Sequence, residues 1–104
     1  MICRSAALFL ALIALKPVAG AADVHIIMAH DSFLPATLNV HVGDTVVWLN
    51  KDLMDHTVTS EDGTVESGGI SPGKTFSYTF KKPGDFGYDC SLHANMHGDI
   101  KAVP

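Results

Sequence analysis

Beyond residue 22, apolar and polar positions alternate with the period of two that marks a strand with one face buried. In Val24-His25-Ile26-Ile27-Met28 the even positions are apolar and are predicted to face a core. Asn39 to Val42 repeats the pattern, with Val40 and Val42 inward and Asn39 and His41 outward. Thr45-Val46-Val47-Trp48-Leu49 is more continuously apolar, as a central strand covered on both sides should be. In Thr75 to Phe80, the aromatics Phe76, Tyr78 and Phe80 share one face, and Phe86, Tyr88 and Cys90 continue that inward parity on the following strand. A last strand is predicted near Asp99 to Val103. Between these runs stand Val42-Gly43-Asp44, Glu61-Asp62-Gly63, Ser71-Pro72-Gly73 and Lys82-Pro83-Gly84-Asp85, which carry turn chemistry. About seven short strands, with no helix long enough for a crossover between parallel strands, predict a single all-β domain built as an antiparallel β-sandwich.

The first 22 residues read differently. Arg4 gives a positive start, Ala6 to Leu15 is an unbroken apolar run, and small residues follow in Val18-Ala19-Gly20-Ala21-Ala22. That is the layout of a secretory leader, 1–22, and its apolar run is too short to span a bilayer. The mature domain is then 23–104, and the expectation is a soluble periplasmic protein without membrane insertion. Without Arg4 and Lys16, five basic residues face eleven acidic ones, a net charge of −6. An acidic domain repels phosphate backbones, so nucleic acid is not an expected partner. Cys3 leaves with the leader, so Cys90 stands alone in an oxidising compartment and calls for a role other than an internal disulfide.

Cys90-Ser91-Leu92-His93-Ala94-Asn95-Met96 suggests that role. Three donors recur at steps of three where a strand ends, so one compact loop can turn them toward one point. His56, 34 positions before Cys90 and just after the turn Lys51 to Asp55, is the best candidate for a fourth. One thiolate, two imidazoles and a thioether are too soft for calcium or magnesium, and zinc rarely takes methionine. Two histidines and a cysteine with a weak axial methionine are the donors of a blue-copper electron-transfer centre.

The chain resembles the cupredoxins, most of all the small amicyanin- and plastocyanin-type blue copper proteins. The resemblance rests on Val42-Gly43-Asp44-Thr45-Val46-Val47-Trp48-Leu49-Asn50, the His56 region, Gly84 to Tyr88 and the Cys90 to Met96 loop, and it covers about Phe33 to Val103. It implies a Greek-key sandwich with a copper site at one end. One type 1 copper ion would be bound by His56, Cys90 and His93 in a plane, with Met96 axial. His93 would be the partly exposed ligand through which electrons pass, and the function would be electron carriage rather than catalysis. The two-residue gaps in the loop match the amicyanin type. The resemblance also implies a backbone N–H to the cysteine sulfur from the residue after the first histidine. That residue is Thr57 where the family more often has Asn, so the backbone donor survives while side-chain support of the loop is expected to be lost.

Amicyanins ring the exposed histidine with prolines and a phenylalanine, whereas Leu92, Ala94 and Asn95 stand here. Leu92 with Leu53, Met54, Phe33 and Pro35 is the expected apolar rim, and an amine dehydrogenase partner does not follow. The expected partners are redox proteins, a c-type cytochrome or a periplasmic dehydrogenase, met by a monomer. The competing reading is a periplasmic copper carrier or delivery protein. An oxidase or nitrite reductase would need a second copper centre or further domains. His25, His30, His41 and His97 read as surface residues, Met28, Trp48, Phe76, Phe80 and Phe86 as core, Tyr88 as packing under the site, and Lys81-Lys82 as a solvated turn.

Overall fold

The computed structural model describes residues 22–104. The predicted leader, apart from Ala22, lies outside the described residues. Within them every regular element is a strand: β1 (Asp23–Ala29), β2 (Ser32–Leu34), β3 (Thr37–His41), β4 (Thr45–Asn50), β5 (Thr59–Ser60), β6 (Thr75–Thr79), β7 (Gly84–Asp89) and β8 (His97–Val103). They form two four-stranded sheets, ordered β2-β1-β4-β6 and β3-β8-β7-β5. This is the expected all-β sandwich.

The pairing corrects the expectation of a purely antiparallel arrangement. β1 runs parallel to β4 and β3 parallel to β8, so both sheets are mixed. The chain leaves the first sheet after β2, forms β3 in the second and returns as β4, so β4 enters beside β1 in the same direction. A tight hairpin would force antiparallel pairing, but passage through the other sheet does not.

Alternation places the core as the pattern required. Ile26, Met28, Val46 and Trp48 from one sheet meet Val40, Tyr88, Ile100 and Ala102 from the other, all at most 4% exposed. Each large apolar side chain fully removed from water contributes about 1.5–3 kcal/mol. Trp48 and Tyr88 span the two sheets edge to face, with centroids 5.5 Å apart. Phe80 is buried, while Phe76 and Phe86 are only partly covered and pack against the core from its margin. Phe33, read from the sequence as a rim residue, lies in the core, its ring edge-on to Tyr88 at 4.6 Å. Its strand is a short hairpin partner of β1, too brief for periodicity to show.

Gly43 and Gly73 adopt φ of 102° and 82°, in the turn before β4 and the turn before β6. That left-handed region is open to glycine and strained for most other residues. Residues 61–74 hold no regular strand, yet Val65 and Ile70 fold back into the core. No helix of the described residues is long and apolar enough to cross a membrane.

Candidate metal centre

At one end of the sandwich the chain passes from the ladder into two connections, 51–58 and 90–96. The first is organised by Asn50, the fully buried last residue of β4. Its Nδ2 donates to the carbonyls of Met54 and Ile70, both at 2.8 Å, and its Oδ1 accepts the Asp52 N–H at 2.9 Å. Reciprocal backbone hydrogen bonds between His56 and Ile70, at 2.7 and 3.2 Å, then hold His56 in place. Here the predicted strand His56 to Thr59 shortens to an isolated bridge at His56 and the two residues of β5.

The second connection leaves β7 at Cys90 and closes on itself. Met96 N–H donates to the His93 carbonyl at 3.3 Å, and Cys90 N–H donates to the Met96 carbonyl at 3.2 Å. This tight loop needs no regular structure to turn its donors inward. Beneath it Tyr88 packs against Gly98, where a Cβ would collide with the phenol ring. Burial pushes the Tyr88 phenol well above its ordinary range.

His56, Cys90 and His93 converge. The two Nδ1 atoms are 3.2 Å apart, and Cys90 Sγ lies 3.7 Å from that of His56 and 3.6 Å from that of His93. Such edges are what three donors show around a shared ion, given metal–nitrogen lengths of about 2.0 Å and metal–thiolate lengths of about 2.3 Å. His56 is 0%, Cys90 4% and Met96 1% exposed, while His93 is half-buried. Met96 completes the group, whose composition is that of a type 1 copper site. Three of the four residues singled out in the sequence are brought to one point, with Met96 buried at the end of the same loop, and the soft donor set fits copper.

Cys90 is tuned by its surroundings. Burial opposes ionisation of the thiol, but the His93 ring, the Thr57 and Leu92 backbone amides and the Thr57 hydroxyl outweigh it and lower the pKa. The Thr57 N–H donates to Sγ at 3.3 Å, as expected of the residue after His56. The expected loss of side-chain support does not occur. Thr57 Oγ1 accepts the Ser91 N–H at 2.8 Å and lies 3.2 Å from Ser91 Oγ, so the hydroxyl ties the loop down as an amide side chain would.

One participant was not singled out from the sequence. Asp52 places Oδ2 2.7 Å from His56 Nε2. Burial works against its ionisation, but hydrogen bonds from the Asp31 amide, the His56 ring and the His30 amide hold the carboxyl below its usual range. The available signal was an aspartate four residues before the histidine, inside the turn. His97 remains a surface residue. Its Nδ1 faces Asp89 at 2.7 Å and its Nε2 faces Asp99 at 3.4 Å, on the outside of the second sheet. His25, His30 and His41 are exposed and Met28 is core, as the pattern indicated.

A two-sheet sandwich carrying a thiolate, two imidazoles and a thioether at one end defines a class, the small copper proteins with a type 1 site. The chain belongs to the cupredoxin family: the family model described as a cupredoxin-like domain matches residues 2–102. Amicyanin of Paracoccus denitrificans is 32% identical over 68 residues, 61% of this chain and 52% of that protein. Plastocyanin of Scenedesmus fuscus is 30% identical over 95 residues, 75% of this chain and 97% of the relative. Thus the chain spans about half the Paracoccus amicyanin and nearly all of the algal plastocyanin. Among solved structures, a reduced Cu(I) form of an amicyanin mutant superposes with a TM-score of 0.73 at 26% identity, covering 86% of this chain and 87% of that one. A copper-containing nitrite reductase from Thermus scotoductus gives 0.75 at 28% identity, with 86% of this chain but only 23% of the reductase covered.

Proposed function

We propose that the protein is an exported carrier of single electrons, in which His56, Cys90, His93 and Met96 hold one type 1 copper ion. Bound copper supplies the one-electron Cu(II)/Cu(I) couple, and the protein residues hold the donors so that little has to move when the charge changes. His56 and Cys90 are buried and tied by hydrogen bonds, so their separation is set before any ion arrives. Met96, at the end of the same loop, is 1% exposed. His93 brings its imidazole to the surface beside Leu92, which is 55% exposed, and gives an electron a short route out. Leu53, Met54 and Leu92 are exposed large hydrophobics that suit brief docking.

The observation that carries this reading is the triangle of Cys90 Sγ and two imidazole Nδ1 atoms, with edges of 3.2–3.7 Å. A net charge of −6 on residues 23–104 would steer a basic redox protein, such as a c-type cytochrome, toward the domain. A periplasmic dehydrogenase is the other class of donor considered. Export rests on the leader pattern of residues 1–22, and the expected form is a monomer. Nitrite reduction is not carried over, because the match covers 23% of the reductase.

The test is an optical titration of the protein with Cu(II). An intense blue thiolate-to-copper band at one equivalent, bleached by mild reductant and abolished in Cys90→Ser, is expected. Copper binding without that band, or a band that persists in the serine variant, rejects the assignment. Copper bound without the band would also favour a copper-delivery role.

A further inference from the structure

The His56 ring is held at both nitrogens. Nδ1 faces the Cys90 and His93 donors, while Nε2 lies 2.7 Å from Asp52 Oδ2, with Asp31 Oδ1 further off at 3.9 Å. A neutral imidazole carries one proton, and an ionised carboxylate can only accept. The contact therefore puts the proton on Nε2 and leaves the Nδ1 lone pair free. His56 is 0% exposed, so water does not compete for either nitrogen.

Asp52 is itself clamped from another part of the chain. The β1–β2 hairpin turns through His30 and Asp31, whose φ values of 55° and 54° are both left-handed. Two successive residues in that region form a tight two-residue turn. Both their amides point at one carboxylate: His30 N–H donates to Oδ1 at 2.8 Å and Asp31 N–H to Oδ2 at 3.1 Å. From the other side, the Asp52 N–H is fixed by Asn50 Oδ1. Three donors thus meet two oxygens, an arrangement that a carboxylate satisfies and an amide cannot.

We propose that Asp52 is a positioning residue, locked by the His30–Asp31 turn, that fixes His56 as an Nδ1 donor and sets a permanent negative charge one imidazole ring from the copper. The proposal rests on the copper reading above. A negative charge behind a ligand raises its basicity and favours the more highly charged ion, so it stabilises Cu(II) over Cu(I). The turn at residues 30–31, remote in sequence from every proposed ligand, thereby acts on the centre through one carboxylate. Asp31 has a 65% exposed side chain and stands 3.9 Å from the ring, beyond hydrogen-bond distance, so its own charge counts for much less.

Two measurements test this on the protein and on Asp52→Asn, Asp52→Glu and Asp31→Asn. In the metal-free protein, ¹⁵N NMR of the His56 ring is expected to show the Nε2–H tautomer, with that proton protected from exchange. An Nδ1–H tautomer overturns the proposal whatever copper does. In the copper-loaded protein, Asp52→Asn is expected to weaken Cu(II) binding relative to Cu(I) about tenfold, read as a rise of about 59 mV in the one-electron potential. Asp52→Glu, which keeps the charge, should recover most of that shift, and Asp31→Asn should move the potential by less than half as much. An unchanged potential in Asp52→Asn, or a glutamate variant that behaves like asparagine, overturns it. If Asp52→Asn does not fold, the tautomer of the unaltered protein and the potential of Asp52→Glu still decide. Failure of the copper reading is distinguishable, because the unaltered protein would then show no blue band.

Discussion

His56 and His93 bring the same imidazole to the same point from opposite kinds of surroundings. His56 is fully buried, with its backbone paired to Ile70 and its far nitrogen against Asp52. His93 is half-buried on a seven-residue loop whose other members, apart from Cys90 and Met96, are exposed. One imidazole is held by buried contacts on both sides of its ring, and the other lies on a segment held mainly by its own turn and by Thr57. On the proposed copper reading the difference separates two demands: a fixed wall would set the donor geometry, and a surface-reaching ligand would couple it to a partner.

Removing each imidazole in turn should give the largest difference between the two. His56→Ala leaves a cavity and strips a donor from Asp52, so the metal-free protein is expected to lose about 2–4 kcal/mol of folding stability. His93→Ala should cost below about 1 kcal/mol, as for a partly exposed loop residue. Urea unfolding of the metal-free variants measures both, and equal costs would refute the asymmetry.

A smaller effect is expected from Gly98→Ala, which probes the support under the loop. The new methyl collides with the Tyr88 ring, two residues before Cys90, and Tyr88 is wedged between Phe33 and Trp48. Overpacking of this kind costs about 1–3 kcal/mol, and each kcal/mol lowers the melting temperature of a domain this size by about 4–8 °C. A calorimetric scan indistinguishable from the parent would mean that the ring can move aside, and that the loop side of the centre is softer than its packing suggests.

Acid–base behaviour should show the smallest effects and sharpen the contrast further. The folded Cys90 thiol has a lowered pKa because the His93 ring and Thr57 amide outweigh burial. Its contribution to the metal-free fold is therefore complete above the unfolded thiol value of about 8.5–9 and is lost as pH falls through the lowered one. Urea midpoints should rise between pH 7 and 9, and Cys90→Ser should flatten that rise. His97 has the opposite sign. Its hydrogen bond to Asp89 raises its pKa, so its contribution is present below about 6.5 and lost as pH climbs through the raised value. Both partners are about half exposed, so the change should be slight and should vanish in high salt, where His97→Gln and parent should coincide.

Much of the fold was legible because burial is read locally. Ile26, Met28, Val46, Trp48 and Tyr88 face inward as their alternation requires, since a strand has two faces and only one meets the core. The donors Cys90, His93 and Met96 were legible for a similar reason: a short loop places residues three apart near one another wherever it sits. Phe33, Val65 and Ile70 were not, because they enter the core from segments too short or irregular to show a period. The antiparallel expectation missed for a different reason. Turn chemistry describes how the chain reverses, not which strand it returns beside, so the β1–β4 and β3–β8 parallel pairs left no local trace.

Strand faces, loop donors and the soft chemistry of the set depend on residues a few positions apart, and so were readable along the chain. What requires distant segments to meet came from the packed fold. It brought His56 against Cys90, set the Thr57 hydroxyl on Ser91 where side-chain support was expected to be lost, and set the amides of His30 and Asp31 on Asp52 behind His56. These contacts join residues 21 to 34 positions apart. Their existence depends on the packing of two sheets, which fixes where strand ends and turns lie relative to one another.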